Sequence, residues 1–359
     1  MRPDGPIKVL IVDGSAVVRS TLARMLRGEA NIDVVASVGD TAAGRRKVLE
    51  YKPDVIVLDI ELSGNSAITF LRVLRIHYPV PVIVCASAEA LQSDAANEAL
   101  EAGAFQVVCR PSATSANPIH QLARRLAGQI RAAQVSHPAA AGQPPLAEIR
   151  AESLSSRGVN PEDFLVAIGA STGGTEALRR LLACVPPDFP PVVMVQHMPA
   201  GFTRAFAGRL NQSSPLTVSE AIDGECVRSG FAVLARGDIQ MSVQRERDQW
   251  HVRYGSTETY NRHCPSVDVL FNSVAEAAGS RAVGIVLTGM GDDGSRGLLK
   301  MREAGARTFA QDKESCVVYG MPKAAAEIGA VECVGPPEEI PRRVIKALSR
   351  ACRASSAPR

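Results

Sequence analysis

The sequence is poor in the features that mark several common classes of protein. None of its eight cysteines forms a C-x-x-C pair, and no His/Cys cluster stands at metal-ligand spacing, which argues against a zinc site. Several cysteines, Cys85 and Cys109 among them, sit inside apolar runs and read as small core residues in a reducing, cytoplasmic setting. No stretch approaches the ~20 apolar residues of a membrane span. The first apolar run is cut short at Asp13, so no signal peptide is expected. The net charge is only +3, without an arginine-lysine stripe or interleaved aromatics, so nucleic acid is not an expected partner. The phosphate-binding string G-x-x-x-x-G-K-[ST] is absent, and no fixed-period repeat appears.

What is present is enough apolar residue, 46% of 359 positions, for two cored domains. Five β-branched-rich runs, Ile7–Val12, Ile32–Val38, Asp54–Ile60, Pro81–Ala86 and Ala104–Arg110, alternate with helical patterns. Continuous apolar strands with a helix after each predict a doubly wound parallel sheet over 1–128. Residues 129–160, rich in Ala, Pro, Gly and Ser, read as a linker. A second α/β rhythm over 161–350 places strands at Phe164–Gly169, Val192–Gln196, Val283–Thr288 and near Arg307–Ala310. Leu216–Tyr254 alternates polar and apolar residues with Gly breaks, which predicts inserted hairpins. The basic stretch after Pro341 reads as a solvated terminal helix.

Ligands on open parallel sheets bind outside the carboxyl ends of the strands. In the second half those ends deliver Ser171 from FLVAIGAS, His197 from PPVVMVQH, and Asp292 and Asp293 from LTGMGDDG. A serine hydroxyl needs a base to take its proton, and a buried carboxylate orients that base. Glycines around Ser171 allow a sharp turn and bring backbone N–H groups toward a developing oxyanion. The order Ser…His…Asp and the string G-A-S-T-G do not match the G-x-S-x-G elbow. Taken singly, the serine also reads as a helix cap or phosphate cradle, the histidine as a satisfied polar residue, and GMGDDG as a turn able to hold a cation.

The strings VAIGASTGGTEAL, VVMVQHMPAGFTRAFAGRLN, NRHCPSVDVLFNSV, AVGIVLTGMGDDG and FAQDKESCVVYGMPKAA resemble the catalytic domain of the chemotaxis protein-glutamate methylesterases, the CheB-type response regulators, across Phe164–Ile345. The resemblance implies a serine hydrolase that removes methyl groups from glutamyl esters on methyl-accepting chemoreceptors and deamidates receptor glutamines. By position it makes Ser171 the nucleophile, His197 the general base and Asp293 the triad carboxylate. It makes the Met290 N–H an oxyanion donor and Thr172 an auxiliary beside the nucleophile. No cofactor is implied for hydrolysis. A helical receptor implies a groove or shallow face around Ser171, with Arg204 and Arg262 able to position an acidic helix or to be plain surface arginines.

The first half resembles the receiver domain that this family carries, a flavodoxin-like fold phosphorylated by a histidine kinase on an aspartate, here Asp59. Mg²⁺ enters only with that phosphorylation, through Asp13 and Asp59. The chain departs from the pattern at several points. Gly14 replaces the second acid after strand one, LSGNSA replaces the proline-containing loop, Ala86 stands at the switch hydroxyl with Ser87 beside it, and Arg110 replaces the lysine. A lost carboxylate weakens a Mg²⁺ site, and arginine changes the reach of the cation. Asp59 is left between two readings, phosphoryl acceptor and bare carboxylate. Two other functions stay open for the whole chain, a non-catalytic signalling adaptor and a serine esterase or amidase with another acyl substrate.

Overall fold

A computed structural model describes residues 5–62, 66–78, 80–92, 94–111, 117–136, 151–198 and 200–355. The chain divides into two compact units, Met1–Ala141 and Gly142–Arg359. No disulfide forms among the described residues. No helix among them is long and apolar enough to cross a membrane.

The first unit holds five strands, β1 (Ile7–Val12), β2 (Ile32–Val38), β3 (Val55–Asp59), β4 (Val82–Ala86) and β5 (Gln106–Cys109). They pair in parallel in the order β2-β1-β3-β4-β5. The central strands β3 and β4 are buried at every position, as a sheet covered by helices on both faces requires. The strand order reverses between β1 and β3, and the crevice at that switch point is where Asp13 and Asp59 stand.

The second unit contains β6 (Leu165–Ala170), β7 (Val192–Gln196), β8 (Thr217–Glu220), β9 (Cys226–Val227), β10 (Phe231–Leu234), β11 (Met241–Glu246), β12 (Gln249–Tyr254), β13 (Ala282–Val286), β14 (Arg307–Gln311) and β15 (Cys333–Gly335). Seven of them form a parallel sheet ordered β15-β14-β13-β6-β7-β10-β8. The expected inserted hairpins are therefore largely corrected. β8 and β10 are parallel members of the main sheet, and only β11–β12, with β9, make a small antiparallel layer. Val218, Ala232 and Leu234 are buried in the core, and the polar alternation of β8 is that of the edge strand of a large sheet.

Side chains leave this sheet with a period of two. Val166, Ile168 and Ala170 of β6 enter one core with helices Gly174–Ala183, Phe202–Ser213 and Ile340–Ser355. Leu165 and Ala167 enter the other with Trp250 and helix Val267–Ala278. The terminal helix is thus only half solvated, because Ile340, Val344, Ile345 and Leu348 are in the core.

Two boundaries also move. A helix spans Pro118–Ser136, past the expected domain end at 128, and Ala151, Leu154 and Val159 pack in the core of the second unit. Of the expected linker 129–160, residues 137–150 lie outside the described residues, as do 63–65 of the LSGNSA loop.

Close packing fixes how the sheet meets the helix that follows the small layer. A Cβ built on Gly169 in β6 would lie 2.1 Å from Val267 Cγ1. Gly169→Ala should cost about 1–3 kcal/mol by overpacking. Val267→Ala in the same chain should return part of that loss in a calorimetric double-mutant cycle, and strict additivity would show that the two positions do not share the strain.

Candidate active site

β6 lies between β13 and β7, and its order in the sheet reverses there, so the switch point falls at the end of the strand that delivers Ser171. The turn after β6 is shaped by close approaches. Gly173 has φ +78°, and a Cβ there would stand 2.4 Å from Val317 Cβ. A Cβ on Gly289 would come within 2.8 Å of Ser171 Cβ. The backbone below is tied down by Ser171 N–H donating to Thr288 O (3.0 Å) and by Gln196 Nε2 donating to Ser171 O (2.8 Å) and to His197 O (3.3 Å). Gln196 therefore ties the residues that follow β6 and β7 to each other.

His197, at the end of β7, places Nε2 2.7 Å from Asp293 Oδ2. Its Nδ1 is buried with no hydrogen-bond partner. A carboxylate on Nε2 holds the proton there and leaves the lone pair on Nδ1, the nitrogen free to accept a proton from a hydroxyl. Among the described residues no hydrogen bond joins Ser171 Oγ to the ring; such contacts tighten when substrate is bound.

The two acids of GMGDDG part company. Gly291 and Gly294 take φ +90° and +89°, and between them Asp292 is exposed while Asp293 is 1% exposed. The Asp293 carboxylate accepts from Ser266 Oγ (2.7 Å), Val267 N–H (2.8 Å) and Asp268 N–H (3.2 Å), the first turn of helix Val267–Ala278. Burial pushes this carboxyl up, but the hydrogen bond and charge of His197, then Ser266 and Val267, outweigh it and hold it below the ordinary value. Asp268, also buried, is pushed up by burial.

Met290 is 72% exposed beside this turn. Neither its N–H nor that of Thr172 meets an acceptor among the described residues, so two donors next to Ser171 stand unspent. Arg204 and Arg262 are exposed and form no ion pair among the described residues.

His263 did not stand out in the sequence. Its ring stacks on His197 at 3.7 Å between centroids and 5° between planes. Asn261 and Arg262, with φ +53° and +67°, make a two-residue turn closed by Tyr260 N–H to His263 O and His263 N–H to Tyr260 O, both 2.9 Å. Gln240 then clamps the loop by donating to His263 O (3.0 Å) and accepting from Ser266 N–H (2.8 Å). No local pattern marks a histidine delivered this way, although Ser266 ahead of an apolar helical run is a legible cap.

His197, His263 and Asp293 lie close enough to suggest a metal. Nitrogen lone pairs lie in the ring plane, however, and two parallel planes 3.7 Å apart cannot aim theirs at one ion. A cavity of about 260 Å³ lies under the Tyr260 turn, lined by Gln240, Ser242 and Glu258 rather than by Ser171, His197 or Asp293.

In the first unit the structure gathers Asp13, Asp59, Ser87 and Arg110 at the ends of β1, β3, β4 and β5. Arg110 Nη2 lies 2.8 Å from both Asp13 Oδ2 and Asp59 Oδ1.

Two known families match the chain, CheB methylesterase over residues 166–344 and response regulator receiver domain over 9–120. The protein-glutamate methylesterase/protein-glutamine glutaminase 3 of Rhodopseudomonas palustris (strain BisB18) is 43% identical over 347 residues, covering 94% of this chain and 95% of its own. The chain belongs to this family. A relative with the same activity in its name, from Sulfurimonas denitrificans, is 41% identical over 96% of this chain and 99% of its own. The crystal structure of the Thermotoga maritima CheB methylesterase catalytic domain is 39% identical, with TM-score 0.50, over 51% of this chain and 98% of that one. The methylesterase chain thus carries both expected folds, a receiver and a CheB catalytic domain.

Burial, and then the facing His197, hold His263 below the ordinary histidine value. In that state the unfolded chain takes up a proton before the folded one does, so stability falls as pH drops from about 6.5 through the folded value. Calorimetry between about pH 7.5 and 5 should show the second unit's transition falling, and His263→Gln should flatten the fall. An unaltered slope in the variant would assign the loss to another group.

Proposed function

We propose that this methylesterase cleaves glutamyl methyl esters on chemoreceptors through Ser171, His197 and Asp293, and deamidates receptor glutamines at the same site. The observation that carries the reading is the His197 ring, bonded to a buried carboxylate through Nε2 and left with an unpartnered Nδ1. Ser171 Oγ attacks the ester carbonyl as Nδ1 takes its proton. The new oxyanion is met by the N–H groups of Met290 and Thr172, each worth ~3 kcal/mol if aligned. Collapse expels methoxide, protonated by the imidazolium to methanol. Water, deprotonated by the same nitrogen, then releases the glutamate and restores Ser171. With a glutamine substrate the leaving group is ammonia, protonated in the same step.

Asp293 keeps the tautomer and stabilises the transient imidazolium without exchanging its own proton. The hydrolysis as drawn uses side chains and backbone alone, without a cofactor. The exposed edge around Ser171 suits a protruding side chain on a helical receptor surface, with Arg204 and Arg262 available to its acidic residues. A histidine kinase is the partner that the receiver fold implies for the first unit.

Methanol release from methylated receptor membranes tests the assignment. Wild type should release methanol, Ser171→Ala should release none, and Asp293→Asn should lose roughly 10³–10⁴ in kcat through the wrong tautomer. Release by Ser171→Ala would refute the nucleophile. Silence from every form would point to another acyl substrate.

A further inference from the structure

Asp13, Asp59, Glu61, Ser87 and Arg110 converge in the first unit and take no part in the hydrolysis. The receiver fold implies a Mg²⁺ ion at this place, so the fit of these residues to such an ion decides how the site works. Mg²⁺ demands near-octahedral oxygen ligation at ~2.0–2.1 Å. Gly14 supplies no side-chain oxygen. Both oxygens of Asp13 are engaged, Oδ1 by Ser15 N–H (2.8 Å) and Oδ2 by Arg110 Nη2 (2.8 Å). Asp59 Oδ1 accepts from Glu61 N–H (2.9 Å) and from Arg110 Nη2 (2.8 Å). The guanidinium also lies 3.4 Å from Glu61 Oε2, and Ser87 Oγ donates to Glu61 Oε1 (2.9 Å). The residues do not fit a divalent ion, because a fixed cation already stands between the two carboxylates.

We propose that the Arg110 guanidinium is the resident counter-cation of this site in place of a metal, so that the first unit does not take up Mg²⁺ and Asp59 is not phosphorylated by Mg²⁺-dependent transfer. Asp13 is 3% exposed and Asp59 6%, so both carboxylates have lost most of their hydration. One nitrogen lies 2.8 Å from both carboxylates and offsets part of their charge, and arginine keeps that charge because it has no accessible neutral form. A divalent ion entering between the same oxygens would be repelled at contact distance by that fixed charge. Phosphoryl transfer to a carboxylate relies on such an ion to neutralise the equatorial oxygens, and a tethered guanidinium already bonded to the acceptor leaves that role unfilled. Arg19 reinforces the arrangement by donating from Nη1 to Asp13 O (2.7 Å) and Gly14 O (3.1 Å), which fixes the loop where the second acid is missing.

The test is calorimetric titration of the full-length protein with MgCl₂, followed by intact-mass measurement after Mg²⁺ and acetyl phosphate. Wild type should show no saturable heat up to about 10 mM Mg²⁺, and its first unfolding transition should be the same in Mg²⁺ and in EDTA. Its mass should stay unchanged. Arg110→Ala frees two buried carboxylates, so its first transition should fall in EDTA and recover by roughly 5 °C or more in about 10 mM Mg²⁺. Saturable Mg²⁺ binding by wild type that disappears in Asp13→Asn would overturn the proposal. So would a stable phosphoryl mass gain that disappears in Asp59→Asn. The wild-type measurements decide the matter even where Arg110→Ala does not fold.

Discussion

Asp293 is 1% exposed, and a carboxylate taken that far from water persists as an anion only where donors replace its hydration. Here the replacement is the start of a helix, with Ser266, Val267 and Asp268 supplying three donors and the positive end of the helix dipole behind them. The fourth donor is His197, and the catalytic edge follows from that. The ring cannot rotate without stripping a buried charge of a partner, so its orientation and tautomer are fixed by the cost of the alternative. Neighbouring contacts then align: Gly294 at φ +89° turns the acid inward, and Asp268 next to it takes the Gly297 N–H and the Asn261 amide.

Glycine serves a second constraint at the same edge. Ser171 must present its hydroxyl at the end of a strand whose neighbours on both sides also end in functional residues, which leaves little volume for side chains. Gly169 gives way to Val267, and Gly174 to the Gln196 amide, where a Cβ would fall 2.2 Å from Oε1. That close fit lets Gln196 reach Ser171 O and couple two strand ends rigidly. Preorganisation of this kind matters for ester attack, because donors held in place before the oxyanion forms need not reorganise as it does.

The features legible in sequence were those carried by runs and strand ends. Five apolar runs marked the first sheet because a parallel strand covered on both faces buries nearly all its positions, as β3 and β4 do throughout. Ser171, His197 and Asp293 were found because they follow such runs. What stayed hidden depends on tertiary placement. β8 alternates polar and apolar residues because it is the edge strand of the sheet, and in sequence that alternation cannot be told from a hairpin. His263, Gln240 and Gln196 act through contacts across 20 residues or more, which no local pattern announces. In the receiver the departures at Gly14, Ala86 and Arg110 could be read off, yet only the geometry shows one of them compensating another.

The two units solve one electrostatic problem in two ways, and the difference explains what each can do. Both bury carboxylates at the carboxyl ends of parallel strands, and both need a positive or donating partner there. In the catalytic domain the partner is an imidazole, whose second nitrogen is unpartnered while the first stays bonded to the acid. In the proposed mechanism a proton passes through Nδ1 while Nε2 stays bonded to the buried carboxylate. In the receiver the partner is a guanidinium, which keeps its protons at any physiological pH and, beside two acids, is held still more firmly charged. Burial favours its neutral form, but the charges of Asp59 and Asp13 prevail. A network built on such a group cannot relay a proton or exchange a ligand without breaking ion pairs. The hydrolysis proposed for the chain therefore belongs to the edge whose buried carboxylate is held by a group with a free nitrogen.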